Sequence, residues 1–196
     1  MVKKILGTLL VVVVVLLGGA LFLPQQVHVS RVVVVNRPVA AVFPWLTSLH
    51  RFNEWSPWAA LDPNVKLDFS GPDAGVGATM TWSGNSKVGT GRQSIKEVVA
   101  DQKVVCDLQF GGSGPAQAAW LLSPDETGTR IEWTLDMDVG NNPIGRYVGL
   151  FLDRMVGPDY ERGLANLKQL VERAPEPQPA AQPTSPATTS ANAATS

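Results

Sequence analysis

The sequence predicts an α+β domain in which an antiparallel sheet packs against one long C-terminal helix, preceded by a single N-terminal transmembrane helix. Three observations predict this. An uncharged apolar segment begins the chain, runs that alternate apolar and polar residues fill its middle, and three-and-four apolar spacing returns after Gly145. Alternation is typical of strands that bury one face, and the later spacing is typical of an amphipathic helix. Strands followed by a helix, without repeated strand–helix units, indicate the α+β class.

The first element is the apolar segment of residues 5–23, which contains no charged side chain. Its length at about 1.5 Å per residue is roughly 28 Å, close to the hydrocarbon thickness of a bilayer. Lys3 and Lys4 precede it, and no basic residue follows before Arg31. The positive-inside rule therefore predicts a single-pass membrane anchor with a cytoplasmic N-terminus and an extracytoplasmic domain, periplasmic or on the outer face. A cleaved signal peptide is the alternative.

Three regions follow from these patterns. Residues 1–26 are the anchor (or signal peptide) with a short linker, residues 27–173 are the folded domain, and residues 174–196 are the tail. From Pro175 onward the tail has no aromatic residue and no Leu, Ile or Val, so it cannot bury enough apolar surface to offset the entropy of ordering. We predict that it is disordered. The linker after the anchor is so short that the domain is expected to lie close to the membrane surface.

Within the domain, residues 27–36 are β-branched and predict the first strand. The segment 39–49 has helical spacing that Pro44 restricts to short helices. Alternating runs then predict about six further strands, with turns at sequences rich in Gly, Pro, Asn and Ser. The final helix has apolar residues at Val148, Phe151, Leu152, Met155, Tyr160, Leu164, Leu167 and Val171. Gly157-Pro158 is expected to kink or split this helix.

Several motifs in residues 27–173 resemble those of a known superfamily. The resemblance rests on Asn53-Glu54-Trp55-Ser56-Pro57-Trp58, Leu61-Asp62-Pro63, Trp82-Ser83-Gly84-Asn85 and Gly163-Leu164-Ala165-Asn166-Leu167-Lys168. They resemble the SRPBCC superfamily, START-like domains of the polyketide cyclase/dehydrase type, in a bacterial membrane-anchored form. The resemblance implies the helix-grip fold, a curved antiparallel sheet wrapped around the C-terminal helix with a hydrophobic cavity between them. Because the superfamily includes lipid carriers, receptors and cyclases, the fold alone does not settle the function.

The candidate ligand-binding residues are large apolar side chains on the strand faces, on the helix stripe or in the irregular segment before the sheet. They are Trp55, Trp58, Met80, Trp82, Trp120, Trp133, Phe151 and Met155. Aromatic and methionine side chains suit a pliable apolar site, and they suit a filled core equally well. The segment between the first two tryptophans is either the rim or gate of a cavity or a plug that closes one end of the sheet.

The sequence offers little for catalysis or metal binding. The chain has one cysteine, Cys106, and two histidines, His28 and His50, which excludes a disulfide framework and a His-rich or multi-thiolate metal site. The formal net charge of −1 gives no basic face for nucleic acid. We therefore assign no catalytic residue, metal or cofactor, and no protein partner. Arg92 and Gln93 are the best candidates for a polar group at the cavity, but the facing of their strand is ambiguous.

Taken together, the sequence predicts a membrane-anchored domain that binds a small hydrophobic ligand, lipid-like or polyketide-like, in a cavity between the sheet and the C-terminal helix. One alternative is a cyclase- or dehydratase-like enzyme that acts in the same cavity, which requires an ionisable or hydroxyl group that projects inward. Another is a protein-interaction module whose core is filled by its own side chains.

Overall fold

The structure is a computed structural model that describes residues 1–111 and 114–175. Its helices are α1 (Val2–Ala20), α2 (Val39–Leu46), α3 (Leu49–Trp55) and α4 (Pro143–Arg173). Its strands are β1 (Gln26–Val35), β2 (Lys66–Ser70), β3 (Thr79–Ser83), β4 (Thr90–Val99), β5 (Lys103–Phe110), β6 (Pro115–Asp125) and β7 (Gly128–Asp138).

The strands form one antiparallel sheet of seven strands in the order β1-β7-β6-β5-β4-β3-β2. Each strand from β2 to β7 pairs with its sequence neighbour, while β1 pairs with β7. Alternate residues of β5, β6 and β7 are buried, as the period-two pattern predicts. The helices α2, α3 and α4 lie over the buried face, and the predicted α+β helix-grip architecture is confirmed.

The core between the sheet and the helices is rich in tryptophan. Trp55, Trp120 and Trp133 are all almost fully buried. The Trp55 ring meets the Trp120 and Trp133 rings edge-on, at centroid distances of 5.9 and 5.3 Å. Edge-to-face packing is a favoured arrangement of aromatic rings, and these rings join α3 to strands β6 and β7.

Helix α4 is continuous through Pro158, so the expected split at Gly157-Pro158 does not occur. The helix starts at Asn142, whose side-chain oxygen accepts hydrogen bonds from the backbone N–H groups of Ile144 and Gly145. A proline inside a helix removes one backbone hydrogen bond, but α4 packs against the domain on both sides of Pro158. Tertiary packing therefore outweighs the local preference.

Helix α1 starts and ends three residues earlier than the predicted segment 5–23, because residues 21–23 form a turn. It is long and apolar enough to cross a membrane, and apart from Ala20 its side chains are not buried by the domain. A signal sequence has the same properties. Most of the predicted tail 174–196 lies outside the described residues, which end at Pro175.

Candidate functional site

A cavity of about 210 Å³ lies between the concave face of the sheet, α3, the segment that follows it, and α4. Its wall is mostly apolar. The lining residues are Phe52, Asn53, Ser56, Trp58, Ala59, Val65, Leu67, Met80, Trp82, Lys87, Val88, Gln93, Leu108, Phe110, Ala118, Trp120, Trp133, Leu135, Val156 and Tyr160. An engineered apolar cavity of about 150 Å³ binds benzene, so this cavity has room for a small apolar molecule.

Three aromatic side chains form the buried end of the cavity. Trp120 and Trp133 are direct partners in the β6–β7 pairing, which brings their rings to a centroid distance of 5.8 Å. The Tyr160 ring of α4 stacks on Trp133 at 3.8 Å, with an angle of 14° between the ring planes. The inward alternation of the two strands and the inward face of α4 therefore converge on one aromatic wall.

The two tryptophans of this wall have unused hydrogen-bond donors. The indole N–H groups of Trp120 and Trp133 are buried, and neither has a partner among residues 1–111 and 114–175. By contrast, Trp55 donates its indole N–H to the carbonyl oxygen of Trp45 at 3.4 Å. An unpaired buried donor costs about 1–3 kcal/mol, so each of these groups lowers the stability of the wall unless an acceptor reaches it.

The described wall contains two ionisable side chains, Lys87 and Tyr160. Lys87 is exposed and lies at the open end, whereas Tyr160 is buried. Burial raises the pKa of the Tyr160 hydroxyl far above its ordinary value, so it stays protonated. Gln93, Asn53 and Ser56 supply neutral polar groups. The wall can therefore donate hydrogen bonds to a ligand, but at neutral pH Tyr160 does not accept a proton.

The buried thiol of Cys106 lies on β5 and does not line the cavity. Burial raises its pKa to about 12, although hydrogen bonding by Gln93 acts in the opposite direction. The thiol is therefore protonated and unreactive, since the thiolate is the nucleophile. Among the described residues no group of three or more His, Cys, Asp or Glu side chains could hold a metal ion.

The buried carboxylate of Asp62 fixes two loops beside the open end of the cavity. Its oxygens accept hydrogen bonds from the backbone N–H groups of Asn64, at 3.0 Å, and Asn85, at 2.6 Å. The Asn85 amide in turn donates to the carbonyl oxygen of Leu61 at 3.1 Å. Asp62 thus joins the segment before β2 to the β3–β4 loop that carries Lys87, which explains why two of the sequence motifs occur together.

Two other motifs meet across α4. A Cβ atom added at Gly163 would lie 2.8 Å from the Trp133 ring and 3.0 Å from Cδ of Pro57, so only glycine allows this close approach. One turn later, the Asn166 side chain donates to the carbonyl oxygen of Trp55 at 3.3 Å. The helix therefore holds the Trp55-to-Trp58 segment against the aromatic wall.

Five of the eight candidate ligand-binding residues line the cavity, namely Trp58, Met80, Trp82, Trp120 and Trp133. Trp55 is fully buried and does not line the cavity. Trp58 is half-buried and forms part of the wall. The Trp55-to-Trp58 segment thus contributes to the cavity wall through Trp58, and whether it acts as a gate stays a prediction.

Phe151 and Met155 correct the sequence-based expectation, because both are exposed and lie outside the cavity. In the first half of α4, two glycines face β1, while Leu152 and Val156 pack on the core. A Cβ atom at Gly149 would lie 2.6 Å from a methyl group of Val27, and one at Gly157 would overlap the Arg31 guanidinium. The helix is therefore rotated away from the orientation that its apolar stripe indicates.

Several wall residues were missed by the sequence reasoning, above all Phe52 and Tyr160. Both come from helices, where the apolar spacing marks a buried face but not which part of that face borders a cavity. The facing of β4 is now defined: Gln93 is buried in the wall, and Arg92 is exposed on the opposite face. The buried position of Gln93 follows from its pairing with Met80 and Leu108, which are also wall residues.

The family described as "Polyketide cyclase / dehydrase and lipid transport" matches residues 26–172. No match was found among curated proteins. Solved structures resemble the chain at low identity, which supports the fold alone.

A protein from Mesorhizobium loti is 18% identical over 77% of this chain and 99% of its own, with a TM-score of 0.53. A protein of unknown function from Staphylococcus aureus is 13% identical over 76% of this chain and 94% of its own, with a TM-score of 0.56. The di-domain ARO/CYC StfQ from the steffimycin biosynthetic pathway is 15% identical over 76% of this chain and 51% of its own, with a TM-score of 0.57.

Proposed function

This chain belongs to the polyketide cyclase/dehydrase and lipid transport family, and from that premise we propose that it is a membrane-anchored binding domain for a small hydrophobic ligand. The ligand occupies the cavity between the sheet and α4. The observation that carries the proposal is the apolar cavity of about 210 Å³, walled by aromatic and aliphatic side chains. Apolar surface buried there contributes roughly 25 cal/mol per Å² to binding, without any catalytic group.

The unpaired indole N–H groups of Trp120 and Trp133 support a ligand that also carries a hydrogen-bond acceptor. A carbonyl, ester or ether oxygen at the buried end would pair one of these donors. A pure hydrocarbon would leave both unpaired and bind more weakly. We therefore expect a lipid-like or polyketide-like molecule with oxygen on the part that enters first.

A cyclase- or dehydratase-like activity in the same cavity is less well supported. Proton abstraction needs a base within hydrogen-bond reach of the ligand. The described wall contains no carboxylate and no histidine, and its buried phenol, Tyr160, is held protonated by burial. An interaction module with a filled core is disfavoured by the cavity itself.

Membrane anchoring through α1 is part of the proposal. From Ile5 onward the helix carries no charge, and the basic residues Lys3 and Lys4 lie in its first turn. By the positive-inside rule the start of α1 is cytoplasmic and the domain, residues 27–173, lies on the extracytoplasmic side.

The test compares lipid extracts of the full chain, purified in a mild detergent, by mass spectrometry. Trp82→Ala removes a half-buried wall residue, and Trp45→Ala is the matched control, because Trp45 is also half-buried but does not line the cavity. We expect an oxygen-bearing apolar species in the wild type and in Trp45→Ala, depleted about tenfold in Trp82→Ala, which corresponds to about 1.4 kcal/mol.

The control also accounts for bilayer lipid that resists the detergent and adheres to the apolar α1, because this background is common to all three proteins. Equal recovery of every species from the wild type and Trp82→Ala would contradict binding in this cavity. A cavity-dependent species that contains no oxygen would contradict the role given to the indole donors.

A further inference from the structure

The first half of α4 carries an apolar stripe that nothing in the described structure covers. Ile144, Val148, Phe151 and Met155 follow one another at helical spacing, and they are exposed by 75%, 47%, 57% and 63%. On a helix surface, residues three or four positions apart are neighbours, so the four side chains form one continuous strip. We call it the α4 stripe.

The α4 stripe is confined to the half of the helix that is nearer α1. At the next two positions of the same face, Asp159 and Arg162 replace the apolar residues and form an ion pair. The opposite face of this half packs on β1 through glycine, at Gly149 and Gly157. Leu152 and Val156 of the same half pack on the core, whereas the four residues of the stripe take no part in it.

The anchor is joined to the domain beside this stripe. The buried guanidinium of Arg146 donates hydrogen bonds to the carbonyl oxygens of Ala20 at 3.0 Å, Leu21 at 3.2 Å and Leu23 at 3.5 Å. Ala20 ends α1, and Leu21 and Leu23 belong to the turn that follows it. A cation at this end of a helix stabilises its carbonyl groups. Arg146 also donates to the carbonyl oxygen of Gly140 at 2.9 Å. The last turn of α1 is thereby fixed to the start of α4.

Tyr147 makes a second connection and lies next to the stripe. Its hydroxyl donates to the carbonyl oxygen of Leu16 at 2.9 Å. On the helix surface Tyr147 is a neighbour of both Ile144 and Phe151, at i−3 and i+4. Tyrosine is enriched where a membrane meets water. When α1 spans a bilayer, its last turn is at that interface, and the start of α4, where the stripe begins, lies beside it.

We propose that the α4 stripe is a second membrane contact, with the first half of α4 lying on the bilayer interface beside the anchor and its apolar residues among the lipid headgroups and upper acyl chains. Amphipathic helices bind this region of a membrane through such a face. The proposal rests on the proposed anchoring of α1, and it adds that the domain is docked on the membrane rather than held above it.

The test uses the full chain in liposomes of phosphatidylcholine and phosphatidylglycerol, with single cysteines that carry a nitroxide label. The one native thiol, Cys106, is buried. Phe151→Cys and Met155→Cys report on the stripe. Leu10→Cys reports on the anchor, and Asp68→Cys, on exposed β2 at the far edge of the sheet, is the aqueous reference. The accessibility of each label to oxygen and to a water-soluble nickel complex is measured.

We expect the ratio of oxygen to nickel accessibility at positions 151 and 155 to exceed that at Asp68→Cys severalfold and to approach that at Leu10→Cys. Aqueous values at 151 and 155 with a lipid value at Leu10 would overturn the docking and leave the anchoring intact. An aqueous value at Leu10 would overturn both. Spin–spin broadening at 151 that disappears on dilution with unlabelled protein would show that a second copy covers the stripe, which would also overturn the proposal.

Discussion

Replacing Ala118 with leucine tests whether the cavity is a binding site or an incidental packing defect. Ala118 lies on β6, is 3% exposed and faces the cavity. Its strand partners on the same face are Cys106 and Leu135. The larger side chain enters a space of about 210 Å³ rather than a filled core, so it occupies the volume that the ligand would use.

The expected change in stability follows from that free space. Leucine adds three carbon atoms, and burying each contributes about 0.8 kcal/mol, which gives an upper limit of about 2.4 kcal/mol. Side-chain ordering and imperfect fit reduce this gain, and cavity-filling substitutions commonly yield about 0.5–2 kcal/mol. For a chain of this size, at roughly 2–4 °C per kcal/mol, the melting temperature should rise by about 1–8 °C.

The assay combines thermal unfolding of the full chain in detergent, followed by tryptophan fluorescence, with titration of a fluorescent fatty-acid analogue. Val104→Phe is the control, because Val104 is fully buried on the same face of the neighbouring strand but does not line the cavity. Ala118→Leu should be at least as stable as the wild type and bind the probe at least tenfold more weakly. Val104→Phe should lose about 1–3 kcal/mol through overpacking.

Two results would contradict the prediction that this cavity is the ligand site. If Ala118→Leu is destabilised as much as Val104→Phe, the space at Ala118 is not free in the native protein. If Ala118→Leu is stable and binds the probe with unchanged affinity, the probe binds elsewhere and the cavity is not the ligand site.

Two further predictions concern stability. Gly163→Ala should lower the free energy of unfolding by about 1–2 kcal/mol, because the added Cβ meets Trp133 and Pro57. This overpacking exceeds the stability gained from the higher helix propensity of alanine. Equal or greater stability of the variant in urea unfolding would contradict the close packing. The pKa of Glu172 is held below its ordinary value, first of all by the hydrogen bond from the backbone N–H of Asn36. The Glu172 carboxylate therefore stabilises the fold at a pH above the ordinary glutamate pKa. This contribution is lost as the pH falls through the lower pKa of the folded state. Glu172→Gln should therefore be less stable at neutral pH and lose less stability on acidification, which urea unfolding between neutral and acidic pH measures; parallel pH profiles would contradict this.

The strands were predictable because a strand that buries one face alternates apolar and polar residues. Met80 and Trp133 could be assigned to the inner face of the sheet for that reason, and both line the cavity. The pairing of Trp120 with Trp133 was not predictable, since it depends on the register set by the short turn between β6 and β7.

The first half of α4 shows where apolar spacing fails as a guide. A hydrophobic pattern identifies a buried helix face by its large apolar side chains. The face of α4 that packs on β1 consists partly of glycine, such as Gly149, which has no side chain. The remaining apolar residues, among them Phe151, therefore indicate the exposed side. The signal in the sequence is the pair of glycines Gly149 and Gly157, both of which approach β1 closely.

The hydrogen bonds that Arg146 donates at the end of α1 determine how tightly the domain is held to its proposed anchor. A flexible tether would let the cavity turn freely and search the volume within its reach. Arg146 instead joins the end of α1 to the start of α4, so in the proposed anchored form the domain would keep one tilt relative to the membrane. The entrance beside Lys87 is then held at a constant height and heading. Under the proposed function, ligand exchange would then be a two-dimensional search, in which the domain diffuses along the membrane and meets donors and acceptors from one side.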